Sequence, residues 1–300
     1  MKKVNLPNSL CVGAQKAGTT TLHDILNQHP DIYLPASKEA HFFDTDENYE
    51  KGLDWWVDTF FSAHNDEKVL GAMTPEYLAY EEVPERIAST LGRDIKIIII
   101  LRNPVSRAYS HYLMSKRRGY EDESFEKAIA LESERIQKGD FERSHFSYIS
   151  RGKYYEQVKR YMDIFPKENI LILRFEEDFL KNREETITKV LDFLDLAYMP
   201  LVVDMKSNKA TQPKFKAISK LIYGDNVLKK VLRTFVKSSK IKVTINQFID
   251  KLNQTEKSIP KLTNHEKSFF LNQFFLEDIK KLEEYTDIDF SMWYLNEYSK

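Results

Sequence analysis

Short apolar runs alternate with amphipathic stretches along the first 200 residues, and the two kinds of pattern predict different elements. Ser9 to Gly13 reads as a strand. Thr19 to Gln28 reads as a helix with Leu22, Ile25 and Leu26 on one face, ended by His29-Pro30. Val69 to Met73 is a second short strand and Val83 to Leu91 a helix. Lys96 to Leu101 (KIIIIL) is β-branched and apolar almost throughout, as a central parallel strand covered on both faces must be. Pro104 to Lys116 opens with proline in the first turn of a helix. Tyr154 to Phe165 is amphipathic, Ile170 to Arg174 is a fourth strand, and Glu184 to Leu194 is a helix. The remainder, to Lys300, reads as mostly helical. Strands alternating with helices predict an α/β fold, a central parallel sheet flanked by helices in three layers. With no linker or repeat in sight, residues 1–300 read as one domain.

Composition narrows the class. A chain of 300 residues with 42% hydrophobic positions is too apolar to be mainly disordered. Nine glycines and ten prolines exclude collagen-like and low-complexity classes. Ile97 to Leu101 is the longest clean apolar run, far short of a membrane span. The segment before Pro7 has basic residues but no apolar stretch, so no signal peptide is expected and the expected location is the cytoplasm. The single cysteine, Cys11, has no partner for an internal disulfide and sits in an apolar run, where it reads as a small core residue.

The formal net charge of −1 hides an asymmetry. Met205 to Lys261 carries 14 Lys and Arg against Asp225, Asp250 and Glu256. Such a basic segment, read here as helical and part of the same domain, suggests an anionic ligand, an acidic polymer or an anionic membrane surface; solvated helix faces are the plainer explanation of many of its lysines.

The chemistry-bearing motif follows the first strand: Gly13-Ala14-Gln15-Lys16-Ala17-Gly18-Thr19-Thr20-Thr21, with a helix immediately after it. Glycines let the backbone approach an anion, the first amides of the helix donate to it, and the helix dipole favours negative charge there. Lys16 adds a cation, and Thr19 and Thr20 add hydroxyls. The fold is therefore P-loop-like, but the motif is not that of a nucleoside triphosphatase, whose lysine follows the second glycine and whose hydroxyl residue holds Mg²⁺. Here the lysine precedes Gly18 by two positions. The central strand ends in Arg102-Asn103-Pro104, a cation where a metal-binding acid would stand. A sulfuryl group carries less negative charge than a terminal phosphoryl, so its transfer asks for less compensation than a lysine, amides and a metal together supply. No metal is expected. Arg102 sits at the carboxyl end of its strand, where open α/β sheets bind ligands, and Ser110 lies on the helix that follows.

With both motifs in place, the chain resembles the sulfotransferases that use 3′-phosphoadenosine 5′-phosphosulfate (PAPS), most of all the heparan-sulfate-type and related bacterial carbohydrate branch. The resemblance covers about residues 9 to 200. Lys16-Ala17-Gly18-Thr19-Thr20 is similar to that family's 5′-phosphosulfate loop, and Arg102 through Ser110 to its 3′-phosphate motif. His29-Pro30-Asp31, Lys38-Glu39-Ala40-His41-Phe42-Phe43-Asp44, Lys51-Gly52-Leu53-Asp54-Trp55 and Thr74-Pro75-Glu76-Tyr77 match in family order. The resemblance implies that Glu39 takes the acceptor proton, that His41 lines the acceptor site, and that Lys16 stabilises the departing phosphate oxygen. It also implies that Lys16, Ala17, Gly18, Thr19, Thr20 and Thr21 hold the 5′ end of PAPS and that Arg102 and Ser110 hold its 3′-phosphate. Lys209, in Asn208-Lys209-Ala210-Thr211-Gln212-Pro213, matches a late basic loop over the nucleotide, and Tyr154 the wall of its pocket. The implied partners are PAPS, its product PAP and a hydroxylated acceptor, a glycan or glycolipid; nucleic acid is not among them, and 205–261 is a candidate for peripheral membrane contact. One departure is informative: the heparan 3-O branch carries a lysine just before its Thr-Pro, where this chain has Met73, which argues against a strongly anionic glycosaminoglycan acceptor. The secreted enzymes' disulfide is also missing. Two other readings stay open: a P-loop kinase of a small hydroxylated substrate, which predicts Mg²⁺ and ATP dependence, and a non-catalytic binder of anionic polymers.

Overall fold

The computed structural model describes residues 6–204 and 260–294, together with the backbone of 212–213 and 254–255. Lys209 and nearly all of the basic segment lie outside the described residues. Of that segment, Gln212–Pro213 and Gln254–Thr255 pair as antiparallel strands where a helix is expected; a proline cannot donate within a helix ladder.

Five strands form one sheet: β1 (Ser9–Gly13), β2 (Ile32–Tyr33), β3 (Val69–Met73), β4 (Lys96–Leu101) and β5 (Ile170–Arg174). Their order is β2-β3-β1-β4-β5 and every pairing is parallel. Ser9 pairs with Gly71 on one side and Lys96 on the other, and Leu101 pairs with Arg174. All of β1 and β3, and β4 from Ile97 onward, are buried, as strands between two helical layers must be. The helices are α1 (Thr19–Leu26), α2 (Asp46–Tyr49), α3 (Gly52–Phe60), α4 (Val83–Leu91), α5 (Pro104–Arg117), α6 (Phe125–Ala130), α7 (Glu132–Arg135), α8 (Asp140–Phe146), α9 (Tyr154–Met162), α10 (Arg183–Phe193), α11 (Asn264–Phe270) and α12 (Leu276–Thr286).

The chain leaves β1 toward β2 and β3 on one side and reaches β4 and β5 on the other. The sheet's topological switch point therefore lies between β1 and β4, and open α/β sheets bind ligands at the carboxyl ends there. The β1–α1 loop and Arg102 are the segments that leave those two ends.

The chain divides into two compact units. The first comprises the described residues of Met1–Arg107, Arg151–Ser207 and Ser268–Lys300, and holds the sheet. The second comprises those of Ala108–Ser150 and Asn208–Lys267. It has a polar core of its own. The buried Glu121 carboxylate accepts from Arg135 Nη1 (2.6 Å) and from the Tyr148 hydroxyl (3.0 Å), and Glu132 accepts from the backbone N–H groups of Ile149 and Ser150.

Candidate active site

The loop after β1 bends through Lys16 and Gly18, both at positive φ (73° and 89°), before α1 begins. At Gly18 a side chain would also collide, since a Cβ there would come within 2.7 Å of the Phe175 ring. The first amides of α1 thus start from a residue with no side chain to cap them, which leaves them available to an anion. Ala17, Thr19 and Thr21 are buried, and Thr20 is exposed.

Arg102 reaches this loop. Its Nη1 donates to the carbonyl oxygen of Lys16 at 2.9 Å, so the early lysine and the mid-chain arginine share one corner of the switch point. The guanidinium lies 4.9 Å from the centroid of the Phe175 ring, the ring that covers Gly18. Its Nε stands 3.9 Å from Glu176. Glu176 accepts from the Asn103 N–H and from the Trp293 indole at 3.1 Å, and burial pushes its carboxyl above the usual range despite these donors. Phe175 and Glu176 start a π-helical turn, Phe175–Lys181, that directly follows β5. Tyr154 is fully buried; its hydroxyl donates to the Arg102 carbonyl at 2.9 Å, so it touches the pocket through Arg102. Ser110 is half-buried on the part of α5 that belongs to the second unit.

The segment Lys38 to Asp44 forms the other half of the site. Its two phenylalanines anchor it: Phe42 stacks on Trp56 with centroids 4.8 Å apart, and Phe43 packs edge-on against the same ring. The Tyr77 hydroxyl accepts from the backbone N–H groups of both, at 3.0 and 3.3 Å. Arg86 donates to the Phe43 carbonyl and Asn48 to that of His41. Held at both ends, His41 adopts φ 46°, a left-handed conformation costly for a residue with a side chain.

This anchoring turns the charged side chains toward one another. His41 Nδ1 meets Asp44 at 2.9 Å, and its Nε2 lies 3.8 Å from Glu39. Burial alone would lower the imidazole's pKa, but the hydrogen bond and charge of Asp44, with the charges of Glu76 and Glu39, carry it up to about 9. Glu39, His41 and Glu76 each bring one potential ligand atom within 4.8 Å of the others. With His41 protonated between them, the two carboxylates and the imidazolium make an ion-pair cluster. Gln15, from the phosphate loop, donates to Glu76 at 2.5 Å, and Arg151 approaches the same carboxylate at 3.9 Å. Lys38 spans the halves: its Nζ donates to Thr19 Oγ1 (3.1 Å) and Thr20 Oγ1 (2.8 Å) and lies 3.9 Å from Glu39.

Cys11, beneath the loop, is buried, and burial pushes its thiol up to about 11, far from a reactive thiolate. Lys38, Asp44, Glu76, Arg151 and the Phe175-Glu176 pair are the neighbours of the site to which sequence reasoning gave no role. Lys38, Asp44 and Glu76 stand inside quoted motifs, so the signal existed for them. Phe175, Glu176 and Arg151 carry none.

A family model described as a sulfotransferase domain matches residues 6–282. Heparan sulfate glucosamine 3-O-sulfotransferase 5 of Mus musculus is 32% identical over 172 residues, 56% of this chain and 47% of its own length. Heparan sulfate glucosamine 3-O-sulfotransferase 3B1 of Homo sapiens is 31% identical over 191 residues, 64% of this chain and 46% of its own. The chain thus spans about half the length of the curated relatives it matches. Among solved structures, a sulfotransferase from Alicyclobacillus acidocaldarius superimposes with a TM-score of 0.67 at 27% identity, covering 96% of this chain and 99% of that one.

Proposed function

The chain belongs to the sulfotransferase domain family, and we propose on that premise that it moves the sulfuryl group of PAPS to a hydroxyl or amine of an acceptor by a single in-line displacement. The observation that carries the reading is the carboxylate of Glu39 standing beside the anion cradle, 3.9 Å from a lysine that rests on the cradle's own hydroxyls. A base at that edge serves transfer from a bound anion to a nucleophile. The donor set suits a phosphosulfate: uncapped helix amides, the Lys38 ammonium on the loop's hydroxyls and the Arg102 guanidinium at its backbone.

PAPS supplies an activated sulfuryl group on a phosphate leaving group. Glu39 takes the acceptor's proton as its oxygen or nitrogen bonds to sulfur. Lys16 and the first amides of α1 hold the charge that collects on the departing phosphate. Arg102, braced by Tyr154 and Phe175, takes the 3′-phosphate. His41, kept protonated by Asp44, orients Glu39 and faces the acceptor.

The acceptor is a sugar hydroxyl of a glycan or glycolipid in this proposal, by analogy with relatives named for glucosamine 3-O-sulfation. Met73 and the acidic pair Glu39–Glu76 favour a neutral sugar over a polyanionic chain, and the 205–261 segment would hold a membrane-borne acceptor at its surface. The test is transfer of radiolabelled sulfate from PAPS to a panel of glycans, glycolipids and small alcohols, beside a thermal-shift comparison of PAP, ATP with Mg²⁺, and heparin. Labelled product with stabilisation by PAP supports the proposal. Stabilisation by ATP-Mg²⁺ alone, or by heparin alone, replaces it with a kinase or a polymer binder.

A further inference from the structure

We propose that Lys38 is a second catalytic lysine, whose ammonium leaves the Thr19 and Thr20 hydroxyls for the sulfuryl oxygens of the donor and holds their charge during transfer. The inference rests on the PAPS reading above and adds a residue to it.

Three observations lead there. First, the ammonium is poorly matched to its present partners. It is half-buried, its side chain 15% exposed, and the hydrogen bonds it makes go to two neutral hydroxyls. Its nearest carboxylate, Glu39, stands at 3.9 Å, beyond hydrogen-bond reach. Burial lowers its pKa, and the charges of Glu39, Cys11, Glu76 and Asp24 only partly offset this. A desolvated cation held by neutral acceptors is stabilised by any anion that arrives beside it.

Second, the hydroxyls it occupies belong to the opening turn of α1, where amides without a side-chain cap point at the same volume. An anion seated on those amides lies within reach of Lys38 without movement of the backbone. The two threonines are released at the same moment to donate to the anion themselves.

Third, Lys38 adjoins Glu39 in the chain and in space. The acceptor oxygen must pass between the base and the sulfur. Glu39 gains the proton, the new O–S bond forms, and the S–O bond to the phosphate breaks with its electron pair left on PAP. Lys38 would stand at the sulfuryl group while Lys16 stands at the leaving phosphate, so the charge that shifts between them is matched at both ends. The Cys11 thiol, buried near the carboxyl end of β1, is close enough to Lys38 to feel its charge, so the ammonium stands over that end of the sheet.

The experiment compares wild type, Lys38→Met and Lys38→Arg. Lys38 lies in a surface loop, and circular dichroism checks that each variant is folded. PAP affinity is measured by calorimetry, and loss of labelled sulfate from PAPS, to acceptor or to water, by single-turnover kinetics. The expected result is that Lys38→Met slows the single-turnover step by about 10²-fold or more, the scale of one lost charge-stabilising donor. PAP lacks the sulfuryl group on which Lys38 acts and keeps Lys16 and the first amides of α1 for its 5′-phosphate, so its affinity changes far less than the rate. Lys38→Arg recovers part of the rate. If Lys38→Met turns over PAPS like wild type, or loses PAP affinity as much as rate, the residue is a structural or binding lysine and the inference falls alone. If wild type neither binds PAP nor consumes PAPS, the underlying PAPS reading falls with it.

Discussion

The loop after β1 and the segment Lys38 to Asp44 face the same corner of the sheet and are built on opposite plans. The first is positioned by its backbone: a parallel strand, a left-handed glycine under Phe175 and a helix N-terminus, with Arg102 holding the Lys16 carbonyl. The second is positioned by side chains: two phenylalanines in an aromatic cluster, a tyrosine hydroxyl on two amides and an aspartate on a histidine. A backbone-built anion cradle is mostly cationic and indifferent to what the ligand carries beyond its phosphates. A loop built from side chains mixes acids with bases, and its chemistry changes with single residues. The donor half should therefore fail by losing affinity, with or without rate, and the acceptor half by losing rate alone.

The sharpest break of this contrast is Glu39→Ala. Turnover should fall by about 10²–10⁴-fold, the usual worth of a general base, while PAP binding by calorimetry stays near wild type. Lys16→Ala should also cost at least about 10²-fold in kcat, but with weakened PAP binding. A Glu39→Ala enzyme with wild-type turnover would remove the base from the acceptor half and end the comparison.

Arg102→Ala should act on the other side. Loss of one charge-assisted contact is worth about 1.5–3 kcal/mol, so PAP affinity should drop about 10- to 100-fold. Turnover at saturating PAPS should fall less. Because Arg102 also restrains the Lys16 carbonyl, proteolysis in the β1–α1 loop should become faster.

The donor half was largely legible in the sequence, and the reason is physical. Strands β1, β3, β4 and β5 have the bounds their apolar patterns predict; for β1, β3 and β4 this is because a strand covered on both faces has almost no polar position to blur its ends, while β5, at the sheet edge, alternates buried and half-buried positions. The glycine-bearing turn and the Arg102 at a strand end are local signals. The two-residue β2 is too short to show a period, and the sequence pattern gives no helix at α2, α3 or α6 to α8. The π-helical turn Phe175–Lys181 has no periodic signature either, yet it delivers Phe175 onto Gly18 and Glu176 beside Arg102. In the acceptor half, Glu39 and His41 were readable only as a motif. The roles of Asp44, Glu76 and Arg151 depend on long-range packing, with Glu76 reached from residue 15 on one side and residue 151 on the other.

Gly18→Ala tests the backbone plan directly. A side chain at φ 89° is strained by about 1–3 kcal/mol, and its Cβ would meet the Phe175 ring at 2.7 Å. A lower thermal midpoint with weaker PAP binding is expected. A variant with both properties unchanged would mean that the turn does not need glycine.

The smallest expected effect is the most specific to the side-chain plan. His41 in the folded protein holds its proton up to about 9, against 6.5 for an ordinary imidazole. A group whose folded pKa is raised stabilises the fold fully below its unfolded pKa, and that contribution fades as pH rises through the folded value. Its share of stability should thus be complete at pH 6, decline above 6.5 and vanish above about 9. Asp44→Asn keeps the shape of the side chain but removes the charge responsible, so the variant should be less stable than wild type at pH 6 and converge with it at high pH. The same change should move the alkaline limb of kcat/KM from near 9 toward the ordinary histidine range, because a neutral His41 leaves Glu39 and Glu76 facing the acceptor with their charge unbalanced. Melting curves and rate profiles across pH 6 to 10 read both effects at once. A gap between wild type and Asp44→Asn that stays constant with pH would show that Asp44 holds the loop only by packing, and that the acceptor half is less dependent on charge than its geometry implies.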